Sequence, residues 1–136
     1  MTDLAPTAFV AASALHLGFQ ATVTTLVYPT LARVRAAHWR QAHDRHSRTI
    51  APLVGVVYAA LVGTGVWLMT VDRSPAAVIA VAAAAATILV TAAVAAPAHR
   101  RLTRRDDRVI DQLLRADRLR LAGAVIALAA ALVAAR

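Results

Sequence analysis

The chain has 136 residues and a mass of 14.3 kDa, which is enough for one domain. Hydrophobic residues make up 60% of it and charged residues 16%, whereas a soluble domain has about 45–50% apolar and about 25% charged residues. This composition excludes a soluble enzyme, a disordered regulator and a nucleic-acid-binding module, and it predicts an integral membrane protein. The lack of cysteine also excludes disulfides and thiolate metal sites.

Four apolar segments predict transmembrane helices at about residues 7–32, 50–71, 76–98 and 119–135. Crossing a hydrocarbon core of about 30 Å takes about 20 apolar residues, so the fourth segment is long enough only if its helix begins earlier, among charged residues. Backbone groups in lipid must be hydrogen-bonded internally, which makes these segments helices. A tight turn at residues 72–75 makes the second and third antiparallel. We therefore expect an all-α fold: one domain over residues 1–136, an up-down four-helix membrane bundle with long cytoplasmic first and third loops.

The arginines predict the orientation of this bundle. All 15 basic residues are arginines, and 13 of them lie in or next to the connections after the first and third apolar segments. Only Arg73 and Arg136 fall on the opposite side. The positive-inside rule therefore places both Arg-rich connections in the cytoplasm and both termini outside, in the cell's inner (plasma) membrane. Arginines beside a bilayer also attract anionic lipid headgroups, by about 1 kcal/mol each.

Residues near the segment ends support the same arrangement. The N-terminal Met1-Thr2-Asp3-Leu4 carries no positive charge, so we expect no cleaved signal peptide. Trp39 and Trp67 are expected in the aromatic belts at the two membrane surfaces.

The first apolar segment carries a polar stripe. His16, Gln20, Thr24 and Tyr28 recur every four residues and so share one helical face. Polar groups inside a bilayer usually face the bundle interior or a water-filled cavity. Two interpretations stay open at this point: hydrogen bonds that hold the helices together, or a ligand pocket or proton path that opens toward the cytoplasm.

The histidines suggest a metal site. His43 and His46 are three residues apart, on one face if helical, and His99 follows the third segment at the same membrane depth. Imidazole is a ligand for several transition metals, which leaves Cu, Fe and Zn as candidates. A partly solvated histidine pair at the membrane surface is the alternative interpretation.

A carboxylate enters the fourth helix on its apolar side. Val109, Ile110, Leu113 and Leu114 form one face of an amphipathic helix, and Asp117 continues that face. Asp117 is therefore predicted to point inward. It would either form a structural ion pair with an arginine of the other loop, or act as a metal ligand or as the acceptor that orients a ligating histidine.

Together these motifs resemble a known group of proteins. Tyr28-Pro29 ends the first segment, His43-x-x-His46 opens the second, Pro97-x-His99-x-x-Leu102 closes the third, and Asp117-x-x-Arg120 enters the fourth. The pattern is similar to small, mostly uncharacterised bacterial four-helix membrane proteins and, more distantly, to the anthrone-oxygenase-like family of unknown-function domains. The resemblance implies a membrane-embedded pocket near the cytoplasmic face that serves the oxidation of a hydrophobic aromatic substrate.

Two functional hypotheses follow. In the first, the protein is an oxidoreductase or oxygenase-like protein: His43, His46, His99 and Asp117 bind a metal or polarise a hydrophobic substrate. The pocket-lining residues are His16, Gln20, Thr24, Tyr28 and Arg120. In the second, it is a non-enzymatic accessory subunit or a binding protein for a small molecule or lipid, and its polar groups serve packing. A proton-coupled exporter and a bis-histidine haem protein rank below both, while a homo-oligomer or larger membrane complex stays open.

Overall fold

The computed structural model describes residues 4–136, and these residues form four long helical runs. The first run contains α1 (Leu4–Thr22), a π-helical segment (Val23–Val27) and α2 (Tyr28–Ala32). A 3-10 turn (Ala36–His38) leads into the second run, α3 (Trp39–Val71). The third contains α4 (Pro75–Val90), a π-helical segment (Thr91–Ala95) and α5 (Ala96–Arg101), and the fourth is α6 (Asp107–Ala134). The expectation that the chain has no cleaved signal peptide was based on its first four residues, and Met1 to Asp3 lie outside the described residues.

Three of the four runs have the length and apolar composition of membrane-spanning helices: Leu4–Ala32, Ala36–Val71 and Pro75–Arg101. The all-helical class is therefore confirmed, together with three helices suited to a membrane. In α6 the apolar part begins only after Arg120. From Leu121 to Ala134 it rises about 21 Å at about 1.5 Å per residue, which is less than the hydrocarbon core of about 30 Å.

The connections are shorter than the sequence suggested. We expected long first and third loops, but α3 already begins at Trp39 and α6 at Asp107, so the connecting segments are residues 33–38 and 102–106. The helices extend because their charged turns are amphipathic: Trp39 and His43 are buried on α3, as Leu113 and Ala116 are on α6. The prediction of a fourth membrane helix required that helix to begin before its apolar segment, among charged residues. α6 does begin there, at Asp107.

Large apolar side chains face outward and small ones face inward. Leu26, Val56, Leu89 and Leu119 are each more than 60% exposed. The buried positions of α4 and α6 are mostly alanines: Ala77, Ala80, Ala84, Ala124, Ala127 and Ala131. α4 and α6 form the most extensive helix pair, and α1 packs on both α3 and α6. Small residues at helix contacts and bulky ones on the outside are typical of helices that pack in lipid.

The two Arg-rich connections meet at one end of the bundle. Arg105 Nη1 donates to the carbonyls of Ala32 and Val34, and Trp39 Nε1 donates to the carbonyl of Leu102 over 2.9 Å. Trp39 is only 2% exposed, so its expected place in an aromatic belt is wrong. Its ring packs inside because the two connections fold over it, whereas Trp67 is 42% exposed on α3.

The tight turn between α3 and α4 lies at the other end. Asp72 Oδ1 accepts from the backbone N–H of Ser74, and the Ser74 hydroxyl accepts from the N–H of Ala77, which caps α4. With Pro75 as the first helical residue, the chain reverses direction within three residues, as the sequence predicted.

Candidate functional site

Two wide helical turns set the geometry of the polar interior. The π-helical segments Val23–Val27 and Thr91–Ala95 are each followed, one residue later, by a proline: Pro29 and Pro97. Proline lacks an N–H and crowds the preceding turn, so an α-helical hydrogen bond is lost there. In an α-helix, the fourth residue along the chain is rotated about 40° beyond one full turn. A π-helical turn holds one residue more and so compensates for this rotation. Gln20 and Tyr28 therefore face the same interior although eight residues separate them.

A buried ion pair lies at the centre of this interior. Asp117 is fully buried, and its Oδ1 accepts from Arg120 Nη2 over 2.7 Å and from Gln20 Nε2 over 2.6 Å. Arg120, 5% exposed, also donates to the Tyr28 hydroxyl over 3.3 Å and to the Thr91 hydroxyl over 3.2 Å. The pair connects α6 with α1 through Gln20, with α2 through Tyr28 and with the second wide turn through Thr91. The opposite charges compensate each other in an apolar surrounding.

A chain of aromatic polar side chains leads from this ion pair toward the Arg-rich end. The Tyr28 hydroxyl lies 3.1 Å from His99 Nε2, and His99 Nδ1 lies 3.1 Å from His43 Nε2. The His43 ring stacks on Trp39 with a centroid distance of 5.6 Å. At the end of the chain, His43 Nδ1 is 3.8 Å from Asp44 Oδ1, a half-exposed carboxylate. Tyr28, His99 and His43 thus link the bundle centre to its surface.

A cavity of about 330 Å³ adjoins this chain. Its polar end is formed by Tyr28, His99, Arg120 and Thr91. The polar side chain of Ser47 also lines it, while the rest of the wall is largely apolar: Phe19, Val23, Ile50, Val54 and Ala95. The exposed residues Ala51 and Arg100 also line it, so it reaches the surface between α3 and α5. Small-molecule sites of about 300–1,000 Å³ with mostly apolar walls and a few polar groups are common in proteins.

A second polar group lies deeper in the bundle. The Tyr58 and Thr91 hydroxyls are 2.6 Å apart, and the His16 ring meets the Tyr58 ring edge-on at 5.7 Å. His16 and Ser13 are fully buried, and in residues 4–136 neither ring nitrogen of His16 nor the Ser13 hydroxyl has a hydrogen-bond partner. His16 therefore lies near the network without a hydrogen bond to it.

The polar stripe of the first helix faces the interior as predicted. His16, Gln20 and Tyr28 are buried, and Thr24 is half-buried with its hydroxyl on the Gln20 carbonyl at 2.9 Å. Asp117 also points inward, but the arginine that it pairs with is Arg120 of its own helix rather than one of the other loop. Among the described residues its hydrogen bonds go to Gln20 and Arg120, and none goes to a histidine.

The three predicted histidines come together, but not around a common point. Ring centroids of His43 and His99 are 5.3 Å apart, and those of His46 and His99 are 5.8 Å apart. Both nitrogens of His99 already face partners, Tyr28 and His43. Within residues 4–136 no group of three or more histidine or carboxylate side chains is arranged to hold a metal ion. The structure therefore does not support the predicted metal site at His43, His46, His99 and Asp117, and that site stays a prediction.

Sequence reasoning overlooked three members of the site. Thr91 joins Arg120 to Tyr58, Trp39 stacks on His43, and Asp44 faces His43. Thr91 could have been found from the sequence. Thr87, Thr91, Ala95 and His99 follow each other at intervals of four residues, the same spacing as in the polar stripe of the first helix. Trp39 and Asp44 lie in a segment that resembles a loop in the sequence. Asp44 is the next residue after His43, and Trp39 is four residues before it, so a helix over this segment would have placed both beside His43.

No family model matches the chain, and no curated protein or solved structure is similar to it. The resemblance to bacterial four-helix membrane proteins and to the anthrone-oxygenase-like family therefore stays an expectation, and the function has to be argued from the site itself.

Proposed function

We propose that the protein is an inner-membrane protein that binds a hydrophobic small molecule in the cavity between α3 and α5. The observation that carries this proposal is the asymmetry of the cavity wall. Apolar side chains surround most of about 330 Å³, while Tyr28, His99 and Arg120 gather at one end. A molecule with an apolar body and one hydroxyl or carbonyl group matches this division, because its polar atom would meet hydrogen-bonding groups and its body would not.

The same proposal includes the arrangement in the membrane. All four helical runs cross or enter the bilayer as an up-down bundle, with the Arg-rich connections in the cytoplasm and both termini outside. Two observations support it: 13 of 15 arginines belong to one end, and bulky apolar side chains cover the outside of the helices. The cavity then opens at the cytoplasmic side of the bilayer, where a lipid-soluble molecule can enter from the membrane and anionic headgroups meet the arginines.

Binding of 2-naphthol, an apolar aromatic molecule with one hydroxyl, tests the proposal. The protein in lipid nanodiscs is titrated, with empty nanodiscs as the reference for partitioning. Wild-type protein is expected to show saturable binding at one site. Ala96→Phe places a ring in the cavity wall and is expected to weaken binding at least tenfold.

Ala92→Phe is the matched control, because Ala92 lies on the same helical run but is exposed and does not line the cavity. It is expected to bind like wild type. Equal affinity in wild type and Ala96→Phe would overturn the cavity as the binding site. Absence of saturable binding, with no small molecule in organic extracts of wild type that Ala96→Phe lacks, would overturn the binding function.

The oxidoreductase hypothesis uses the same cavity and is the second candidate. One observation favours it: His46 Nε2 is buried beside His99 and has no hydrogen-bond partner among the described residues. Elemental analysis of purified wild type and of a folded His43→Ala/His46→Ala double variant decides between the two. Near-stoichiometric Cu or Fe that the double variant loses would favour oxidation of the bound molecule over simple binding, whereas Zn, which has no redox chemistry, would show a metal site only.

A further inference from the structure

Two hydrogen bonds and one charge contact lead from the cavity to the surface, and they have one consistent direction. A carboxylate accepts hydrogen bonds and does not donate them. Asp44 Oδ1 is 3.8 Å from His43 Nδ1, which is beyond hydrogen-bond distance, and that nitrogen has no hydrogen-bond partner among the described residues. The negative charge at this distance still favours a hydrogen on the nitrogen over a lone pair. A neutral imidazole carries one hydrogen. His43 Nε2 is then an acceptor, and the neighbouring nitrogen, His99 Nδ1, must donate to it across 3.1 Å.

The same argument continues inward to the tyrosine. With its hydrogen on Nδ1, His99 accepts at Nε2, and the only hydrogen that Tyr28 has to offer points to it across 3.1 Å. The Tyr28 oxygen accepts in turn from Arg120 Nη2, a group that can only donate. Every link therefore points outward, from Arg120 through Tyr28, His99 and His43 to Asp44.

We propose that this chain is a proton relay that takes a proton from a molecule bound in the cavity and releases it at the Arg-rich surface. The inference rests on the proposed binding function, which supplies the molecule. Tyr28 and Arg120 both line the cavity, so the tyrosine oxygen is within reach of a bound hydroxyl. The Asp44 side chain is 45% exposed, so water can collect the proton there.

The proposed transfer moves protons only, and no atom is oxidised or reduced. The bound molecule's O–H bond breaks and a new O–H bond forms on Tyr28, whose original proton passes to His99 Nε2. The proton of His99 Nδ1 passes to His43 Nε2, and that of His43 Nδ1 passes to Asp44 and then to water. The bound molecule is left as an anion beside the guanidinium of Arg120, which stabilises it.

Other charged groups near the relay do not reverse its direction. Arg40 Nε is 4.0 Å from Asp44 Oδ2, so the positive charge beside that carboxylate lies at the outer end of the relay. The remaining imidazole of the cluster, His46, is tilted against His99 and meets the Tyr28 ring edge-on, without a hydrogen bond to either. Asp117 Oδ1 accepts from Arg120 Nη2, the same nitrogen that donates to Tyr28.

The direction is testable without any ligand. We would label the histidine rings with ¹⁵N in the full chain in nanodiscs and assign their tautomers by long-range ¹H–¹⁵N correlation at neutral pH. His43 and His99 are each expected to carry a single hydrogen, on Nδ1. Asp44→Asn is expected to convert both to mixed tautomers, because an amide either donates or accepts. A stacked cluster without a relay would show no change at His99, two links away. A hydrogen on Nε2 of His43 or His99 in wild type, or on both nitrogens of either ring, would overturn the relay.

The transfer itself is testable with 2-naphthol, which becomes a much stronger acid when excited and whose anion emits at a longer wavelength. Wild type with bound 2-naphthol is expected to show strong anion emission, and Tyr28→Phe or Asp44→Asn at least a fivefold loss at equal occupancy. Asp111→Asn, an exposed aspartate far from the chain, is the control and keeps wild-type emission. Unchanged emission in all variants would overturn the relay and leave the binding proposal standing. Failure of 2-naphthol to bind would count against the binding proposal, while the tautomers would still decide the direction of the relay.

Discussion

The guanidinium of Arg120 joins three parts of the chain at the residue scale. It donates to Asp117 on its own helix, to Tyr28 on α2 and to Thr91 in the second wide turn. A buried charge of this kind is tolerated because its partner is buried with it, and the loss of either partner leaves an uncompensated charge. The pair is therefore expected to hold the bundle together as well as to border the cavity.

Removal of one partner should be strongly destabilising. Asp117→Ala leaves the Arg120 charge buried and unpaired, and we expect it to lower the free energy of unfolding by about 3–5 kcal/mol. The measurement is the thermal denaturation midpoint of the purified protein in detergent, read from the fraction that stays monodisperse after heating.

Arg118→Gln is the control for that measurement, because Arg118 is the next residue but is exposed. It should change stability by less than about 0.5 kcal/mol. If Asp117→Ala and Arg118→Gln had equal midpoints, the ion pair would have no structural role.

The sequence predicted for several individual residues that their side chains point into the bundle interior. The inward orientation of His16, Gln20 and Asp117 followed from helical periodicity, which depends on local geometry alone. That of Tyr28 also requires the wide turn at Val23–Val27. The partners could not be predicted in this way. Whether Asp117 meets an arginine of its own helix or of another connection depends on how helices far apart in sequence are packed, and periodicity contains no such information.

At the scale of the helices, α4 and α6 approach each other through small side chains. A Cβ atom added to Gly123 would lie 2.7 Å from Thr87 Cγ2, closer than real Cβ atoms come to a neighbour. Thr87 is buried and its hydroxyl is bonded to the Ala84 carbonyl over 2.7 Å, so it has little freedom to move aside. Glycine is required at this position for the close approach of the two helices.

Gly123→Ala should therefore destabilise the protein, by about 1–3 kcal/mol as expected for overpacking. Gly63→Ala is the matched control, because nothing lies within 4 Å of a Cβ atom there. It should be neutral or slightly stabilising, since alanine favours a helix over glycine. The double variant Thr87→Ala/Gly123→Ala should regain part of the lost stability. If Gly123→Ala and Gly63→Ala had the same effect on stability, the close approach of α4 and α6 at Gly123 would be refuted.

The helices themselves were largely predictable, and their ends were not. Apolar length indicated the three runs that suit a membrane, and the turn at residues 72–75 was indicated by its proline and polar residues. The start of α3 at Trp39 was hidden because its first turns are rich in arginine and histidine and resemble a loop. They form a helix because one narrow face, with Trp39 and His43, is covered by the other Arg-rich connection.

For the molecule as a whole, the proposed orientation yields a direct prediction. The chain has no cysteine, so single cysteines report topology without background. In intact bacterial cells a membrane-impermeant maleimide should label Arg73→Cys, in the turn between α3 and α4. It should label Arg104→Cys, in the connection before α6, only after the cells are opened.

Both positions are exposed, so a difference in labelling reflects the side of the membrane rather than burial. The reverse pattern would invert the orientation and place the cavity mouth outside. Labelling of both sites in intact cells would rule out a chain that crosses the membrane between them. The proposed orientation rests on the distribution of the arginines, because charge asymmetry acts on the whole chain and does not depend on packing.

The two wide turns have a consequence for chain length. Each holds one residue more than an α-helical turn requires. Deletion of a single exposed residue such as Ala93 would let the third run close into a regular α-helix. Thr91 and His99 would then be seven residues apart, about 20° short of two full α-helical turns, and they would still face the same interior. Each wide turn is therefore a place where the chain can lose one residue and keep its polar interior connected.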